Sequence, residues 1–132
     1  MGTTLLLTGF YAGILTFLYI ALSFKVINLR RKHSVGIGDG ENSELAKAIR
    51  VHSNFAEYIP LTLVLFAIYE INHGSMQILH GLGGFLVICR FLHAFGLARS
   101  KGTTWQRFIG AAGTFGVMLV LAVINIAWLA GF

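Results

Sequence analysis

Three polar side chains lie on one face of a segment that is otherwise apolar enough to enter a membrane. Arg50, Asn54 and Glu57 are spaced i, i+4 and i+7, so on an α-helix they fall within about 60° of arc. Tyr58 borders the same stripe. Arginine binds carboxylate through its planar fork, glutamate accepts from an ammonium group, and Asn or Tyr binds amides. The stripe therefore predicts a binding site for a small zwitterionic ligand.

A second polar pair, Arg90 and His93, lies one helical turn apart in a later apolar segment. A charge in hydrocarbon is expensive, so it usually faces the interior of a bundle or a wet cavity. The alternative for both groups is a structural ion-pair network in which Arg50 or Arg90 neutralises Glu57. That alternative explains one pair, but it does not explain why Arg, Asn, Glu and Tyr share one face.

The elements that hold these residues are predicted from composition and hydropathy. The chain of 132 residues is 56% hydrophobic and 11% charged, whereas a soluble domain is about 25% charged. Four apolar runs reach or nearly reach the roughly 20 residues that cross a bilayer. We expect one domain, residues 1–132, with the all-α fold of an integral membrane four-helix bundle. The helices are predicted near 4–28, 43–72, 75–98 and 105–130, with a flexible connection at 28–42 and a helix cap at Asn42 or Ser43.

The distribution of cations predicts the orientation. Nine of the ten Lys and Arg residues lie between the first and second apolar runs or between the third and fourth, and therefore on one side of the bundle: Lys25, Arg30, Arg31, Lys32, Lys47 and Arg50, then Arg99, Lys101 and Arg107. The positive-inside rule makes that side cytoplasmic and both termini non-cytoplasmic. Topology and contact with anionic membrane lipids account for the net charge of +5, so no nucleic-acid partner is expected.

Other polar residues are interpreted as structural. The lone Cys89 is expected to be a buried small residue, and no metal site is predicted because no familiar ligand spacing is present. His52 lies on the opposite face from the stripe, which favours contact with headgroups or solvent. Glu70 is expected to be a wetted helix end at the far interface.

The motif Arg50-x-x-x-Asn54-x-x-Glu57-Tyr58-x-Pro60 resembles the helix-two signature of the MAPEG superfamily, the membrane-associated proteins of eicosanoid and glutathione metabolism. Two further segments are similar to family members: Val26-Ile27-x-x-Arg30-Arg31 and Arg90-x-x-His93-x-x-Gly96-x-Ala98-Arg99-Ser100. The small size and the absence of eukaryotic retention signals favour a bacterial member, expected in the inner membrane as a multi-pass protein.

The resemblance implies a homotrimer with glutathione sites between neighbouring subunits. One subunit would supply Arg50, Asn54, Glu57 and Tyr58, and the next would supply Arg30, Arg90 and His93. Glutathione reacts as its thiolate, and a fixed cation near the sulfur lowers the thiol pKa. The family places such an Arg near the start of helix four, where Arg107 is the candidate and Arg99 the second.

The resemblance further implies a glutathione transferase whose thiolate attacks a lipophilic electrophile, with lipid hydroperoxides as an alternative substrate of the same thiolate. Leukotriene- and prostaglandin-forming members have Tyr on helix three where this chain has His93 and Leu97, which disfavours eicosanoid substrates.

A non-catalytic member that binds lipids or a partner enzyme is the main alternative. A small four-span multidrug exporter needs a carboxylate in helix one, and none is present there. A haem cytochrome needs opposed histidines, but His80 and His93 share one helix.

Overall fold

Four long helices make up the fold. The computed structural model describes residues 4–99 and 104–131, with the backbone alone at 97–99. The helices are α1 (Leu6–His33), α2 (Ser43–Ile71), α3 (Met76–Arg99) and α4 (Trp105–Leu129). Each contains a stretch that is long and apolar enough to cross a membrane. The described ranges contain no strand, so the predicted all-α four-helix fold is confirmed for the single chain.

Helix α1 runs further than the sequence predicted, ending at His33 instead of residue 28. Its last turn contains Arg30, Arg31, Lys32 and His33, and cations at a helix C-terminus interact favourably with the helix dipole. Leu29 is buried in a small second core with Leu45 and Ala48 of α2. Apolar packing therefore continues beyond the apolar run of α1 and holds this charged turn in the helix.

The connection between α1 and α2 is correspondingly shorter, residues 34–42, and has its own hydrogen bonds. Asn42 caps α2 as predicted: its side chain accepts from the backbone N–H groups of Glu44 and Leu45. Its amide nitrogen also lies 3.3 Å from Nδ1 of His33. Glu44 lies 3.5 Å from the ammonium nitrogen of Lys32. Two side-chain contacts, His33 with Asn42 and Lys32 with Glu44, thus link the end of α1 to the start of α2.

Glu70 joins α2 to the first turn of α1, which has no cap from its own neighbouring side chains. Its two carboxylate oxygens accept from the backbone N–H of Leu7 at 2.9 Å and of Thr8 at 2.8 Å. An anionic acceptor at this position satisfies unpaired N–H groups and complements the helix dipole. The prediction that Glu70 is simply a wetted helix end is therefore wrong, because the carboxylate caps a helix about 60 residues away in the chain.

Small residues allow α3 and α4 to approach closely. A Cβ atom added to Gly110 would lie 2.6 Å from the carbonyl oxygen of Cys89, and one added to Gly113 would collide with the Cys89 sulfur. Cys89 is buried, as predicted. Interfaces between membrane helices are rich in small residues for this reason. The close contact fixes the height of the α4 N-terminus against the last turns of α3.

Candidate functional site

Arg90 is the central residue of the candidate site. Its side chain is 1% exposed, and its Nη2 atom donates to Oδ1 of Asn54 at 2.9 Å. Its guanidinium carbon lies 5.4 Å from the centroid of the Phe55 ring, within the range of a cation–π interaction. Asn54 and Phe55 belong to the same subunit. The single chain thus brings these two predicted site residues into direct contact, and the division of the site between neighbouring subunits stays a prediction.

Unpaired donors remain on Arg90. Its Nε and Nη1 atoms are buried and have no hydrogen-bond partner among the described residues, and neither has the buried Nδ1 of His93. No carboxylate in the described ranges forms an ion pair with Arg90. Buried charges are normally paired and hydrogen-bonded. Among the described residues Arg90 is therefore a buried cation without a counter-charge.

Arg50 and Glu57 form the outer part of the stripe. Their side chains are 67% and 49% exposed, and Nη1 of Arg50 lies 4.0 Å from Oε1 of Glu57. The structural alternative of an ion pair therefore holds for these two residues. A pair this long and exposed contributes about 0–1 kcal/mol, so both groups stay available to a ligand. The ion-pair alternative leaves Arg90 unexplained, because Glu57 pairs with Arg50 instead.

Tyr58 lies between α2 and α4. Its ring meets Phe115 of α4 edge-on, with centroids 4.9 Å apart, and the side chain is partly buried. The sequence predicted that Tyr58 borders the polar stripe of α2, and the structure adds a contact with α4 that the sequence did not predict.

Arg107 lies in the first turn of α4, close to the end of α3. Its backbone N–H donates to Oγ1 of Thr104, which caps α4, at 3.4 Å. A Cβ added to Gly96 would lie 2.9 Å from the Arg107 nitrogen, and one added to Gly110 would lie 2.8 Å from Cβ of His93. The start of α4 is thus packed against the turn of α3 that contains His93. The side chain of Arg99 is outside the described residues.

Arg30 lies in a different environment from the other predicted site residues. Its Nη1 atom donates to backbone carbonyl oxygens of the α1–α2 connection, at 3.4 Å for Val35, 3.3 Å for Gly36 and 2.9 Å for Gly38. In the subunit the guanidinium therefore binds its own chain and does not join Arg90.

His52 was assigned to headgroups or solvent, and the structure corrects this. Nε2 of His52 lies 3.1 Å from Oγ of Ser23 on α1, and its ring stacks on Tyr19 with centroids 4.9 Å apart. Tyr19 also stacks on Phe55, which in turn contacts Arg90. The i, i+4 spacing of Tyr19 and Ser23 could have indicated a polar face on α1 that meets His52.

Comparison with known proteins identifies the family of the chain. The model of the MAPEG family matches residues 8–127. The chain belongs to the MAPEG family. It is similar to "Inner membrane protein YecN" of Escherichia coli strain K12, with 33% identity over 121 residues, covering 92% of this chain and 91% of the relative. The protein of the same name from E. coli O6:H1 strain CFT073 is equally similar.

Within this MAPEG chain the predicted residues separate into an inner and an outer group. The inner group, Asn54, Arg90 and His93, is buried or half-buried between α2 and α3. The outer group, Arg50 and Glu57, is exposed on α2. Together they combine a buried cation that keeps unpaired donors with an exposed carboxylate and guanidinium on α2. Such a set can bind an anion and an ammonium group on one small molecule.

Proposed function

We propose that this MAPEG protein is a membrane-bound glutathione transferase. The observation that carries the proposal is the buried guanidinium of Arg90, which keeps Nε and Nη1 unpaired beside the unpaired Nδ1 of His93. An uncompensated buried charge is destabilising, and an anionic ligand would compensate it. Membership of a family named for glutathione metabolism makes glutathione the ligand of choice.

Glutathione has two carboxylates, one ammonium group and two amides, and the site residues match these groups in kind. Arg50 and Arg90 would bind carboxylates, Glu57 would bind the ammonium group, and Asn54, Tyr58 and His93 would bind amide groups. Arg50 and Glu57 are exposed in the single chain, so a ligand bound to them would need a cover on its open side. A homotrimer, in which the neighbouring subunit closes the site, would supply it.

The chemistry proposed for the bound glutathione is nucleophilic attack by its thiolate. A free thiol has a pKa near 8.5, and a fixed Arg beside the sulfur favours the anion because Arg stays charged at any relevant pH. Arg107 would take this role, with Arg99 as second candidate. The thiolate would form a C–S bond at the electrophilic carbon of a lipophilic substrate. In a substitution the bond to a leaving group breaks, and in an addition to an activated double bond the resulting carbanion takes up a proton from water. With a lipid hydroperoxide the same thiolate would attack the terminal oxygen, so that the O–O bond breaks, the lipid alcohol leaves after protonation, and glutathione sulfenic acid forms. A second glutathione would then react with the sulfenic acid to give glutathione disulfide and water.

The first test is direct binding of glutathione to the purified protein in detergent, measured by isothermal titration calorimetry. Arg50→Ala changes an exposed side chain and should leave the core intact. Loss of a hydrogen bond to a charged group predicts binding weaker by about tenfold or more. Arg31→Ala removes an exposed Arg outside the site and serves as the matched control. Equal affinity in Arg50→Ala and wild type, or no binding to wild type, would contradict the proposal.

The location proposed for the enzyme is the bacterial inner membrane, with both termini on the non-cytoplasmic side. The cation distribution and the similarity to a protein named as an inner membrane protein support this location. Reporter domains fused to each terminus, one active only in the cytoplasm and one only outside it, test the orientation. Activity of the cytoplasmic reporter at either end would contradict it.

A further inference from the structure

His33 is the last residue of α1 and lies beyond the part of that helix that crosses hydrocarbon. The uncharged run of α1 ends at Phe24, and the helical residues that follow carry His33 about 14 Å further. The headgroup region on one side of a bilayer is only about 5–8 Å thick. The side chain of His33 is 26% exposed, so protons of the aqueous phase reach its ring.

The hydrogen bonds of Asn42 determine which nitrogen of the neutral His33 ring carries the proton. Oδ1 of Asn42 accepts from the backbone N–H groups of Glu44 and Leu45, both at 3.0 Å, and so caps α2. The amide nitrogen of Asn42 is therefore the group that faces Nδ1 of His33, at 3.3 Å. An amide NH2 group can only donate. Nδ1 must then be the acceptor, and the proton of the neutral ring lies on Nε2.

The charged groups around His33 come from both helices and from the connection. Nε2 of His33 is buried without a hydrogen-bond partner among the described residues, and Oε2 of Glu44 on α2 lies 3.7 Å from it. In the connection, the Asp39 carboxylate accepts from the N–H of Glu41, and no ion pair joins either residue to His33 within the described ranges. The last turn of α1 adds three cations: Arg30, Arg31 and Lys32. A positively charged ring would thus be attracted by Glu44 and repelled by its own turn.

We propose that protonation of His33 is a switch that loosens the start of α2. A proton on Nδ1 places two donors, the ring N–H and the amide NH2 of Asn42, opposite each other. Asn42 cannot turn its oxygen to the ring without withdrawing it from the N–H groups of Glu44 and Leu45. The protonated ring therefore leaves Asn42 and pairs with Glu44, and the cap loses the contact that holds its amide in place. The switch does not depend on the binding of glutathione.

The switch acts on the helix that contains the polar stripe. Histidine side chains titrate between about pH 5 and pH 8, so the change falls in the range that a cell reaches. Arg50, the first residue of the stripe, lies two helical turns after Ser43, where α2 begins. At pH 8 the start of α2 is held by the neutral ring, and at pH 5 it opens more often.

Amide hydrogen exchange at Glu44 and Leu45 measures the cap directly, in the full-length protein in detergent without ligand. Exchange chemistry itself changes with pH, so each wild-type rate is divided by the rate of the same amide in His33→Asn at the same pH. The Asn side chain offers an oxygen near the place of Nδ1 and does not titrate in this range. His33→Phe keeps a ring but has no acceptor. His73→Asn, which changes a histidine in the α2–α3 connection, is the matched control.

The ratio of wild type to His33→Asn should be close to one at pH 8 and should rise to about two to ten at pH 5. That range corresponds to the loss of one hydrogen bond. At pH 8 the exchange of both amides in His33→Phe should be faster than in wild type by the same factor, and at pH 5 the two proteins should be alike. The control His73→Asn should follow wild type at every pH.

A ratio of wild type to His33→Asn that stays constant from pH 8 to pH 5 would overturn the switch. Equal exchange in His33→Phe and wild type at pH 8 would show that the ring does not support the cap, which would also overturn it. Loss of the pH dependence in His73→Asn would assign the effect to a different histidine. If His33→Phe fails to fold, the comparison of wild type with His33→Asn still decides the question.

Discussion

Replacing Arg90 by methionine should make the ligand-free protein no less stable. Arg90 is 1% exposed, bonded only to Asn54 by its side chain, and has two unpaired nitrogens in the described structure. Replacement of buried ionic groups by apolar residues of similar volume is often neutral or stabilising, by about 1–4 kcal/mol. Asn54 is partly exposed, so water or headgroups can satisfy its amide after the change.

The complementary substitution, Asn54→Leu, should be clearly destabilising. It would leave all three guanidinium nitrogens of Arg90 without a partner. An unsatisfied buried group costs about 1–3 kcal/mol, and more when it is charged, so we expect a loss of about 2–3 kcal/mol. That corresponds to a change of about 30- to 150-fold in the folding equilibrium. When it is introduced into Arg90→Met, Asn54→Leu should change the free energy of unfolding much less, because no buried guanidinium then loses its partner.

Equilibrium unfolding gives the free energy of unfolding of four proteins: wild type, Arg90→Met, Asn54→Leu and the double variant. Each is unfolded in mixed micelles at one protein concentration, with sodium dodecyl sulfate as denaturant. Saturation with glutathione at about 100 times its Kd should stabilise wild type by about 2.7 kcal/mol, and Arg90→Met by much less. A loss of 3 kcal/mol or more in Arg90→Met without ligand would show that Arg90 holds the fold together. That result would refute the argument that its charge is retained for a ligand.

Two further predictions concern packing and capping. Glu70→Gln keeps one carbonyl acceptor and loses the charge, which should cost about 1–2 kcal/mol of capping free energy. Amide hydrogen exchange in the first turn of α1 should therefore rise by about five- to thirtyfold. Unchanged exchange would exclude the cap. Gly113→Ala should cost about 1–3 kcal/mol by overpacking, and the additional change Cys89→Ala should restore most of it. Gly116→Ala, which has no atom within 4 Å of the added Cβ, is the control, and an equal loss there would contradict the packing argument.

The fold was predictable because hydrocarbon imposes a simple rule: an apolar run of sufficient length becomes a helix. The starts of α2 and α4 were predictable for local reasons, since Asn42 caps the first and Thr104 lies directly before the second. The end of α1 was missed by five residues, because Leu29 is buried by α2 and no local pattern shows that contact.

The site was predictable to the level of one helix face. Helix periodicity grouped Arg50, Asn54 and Glu57 correctly on α2, but it contains no information on which residue each one meets. The contact from Asn54 to Arg90 spans 36 positions, and the cap from Glu70 to Thr8 spans 62. Tertiary packing decides both.

The central claim is that this protein binds glutathione as a thiolate beside Arg107. The ultraviolet thiolate difference spectrum of glutathione, mixed with purified protein at neutral pH, tests it most directly. Wild type and the control Arg31→Ala should give a thiolate signal, Arg107→Lys should keep part of it, and Arg107→Ala should lose it. A full signal in Arg107→Ala would transfer the role to another cation, with Arg99 tested next. No signal in wild type, where calorimetry shows that glutathione binds, would contradict the claim that the protein activates it.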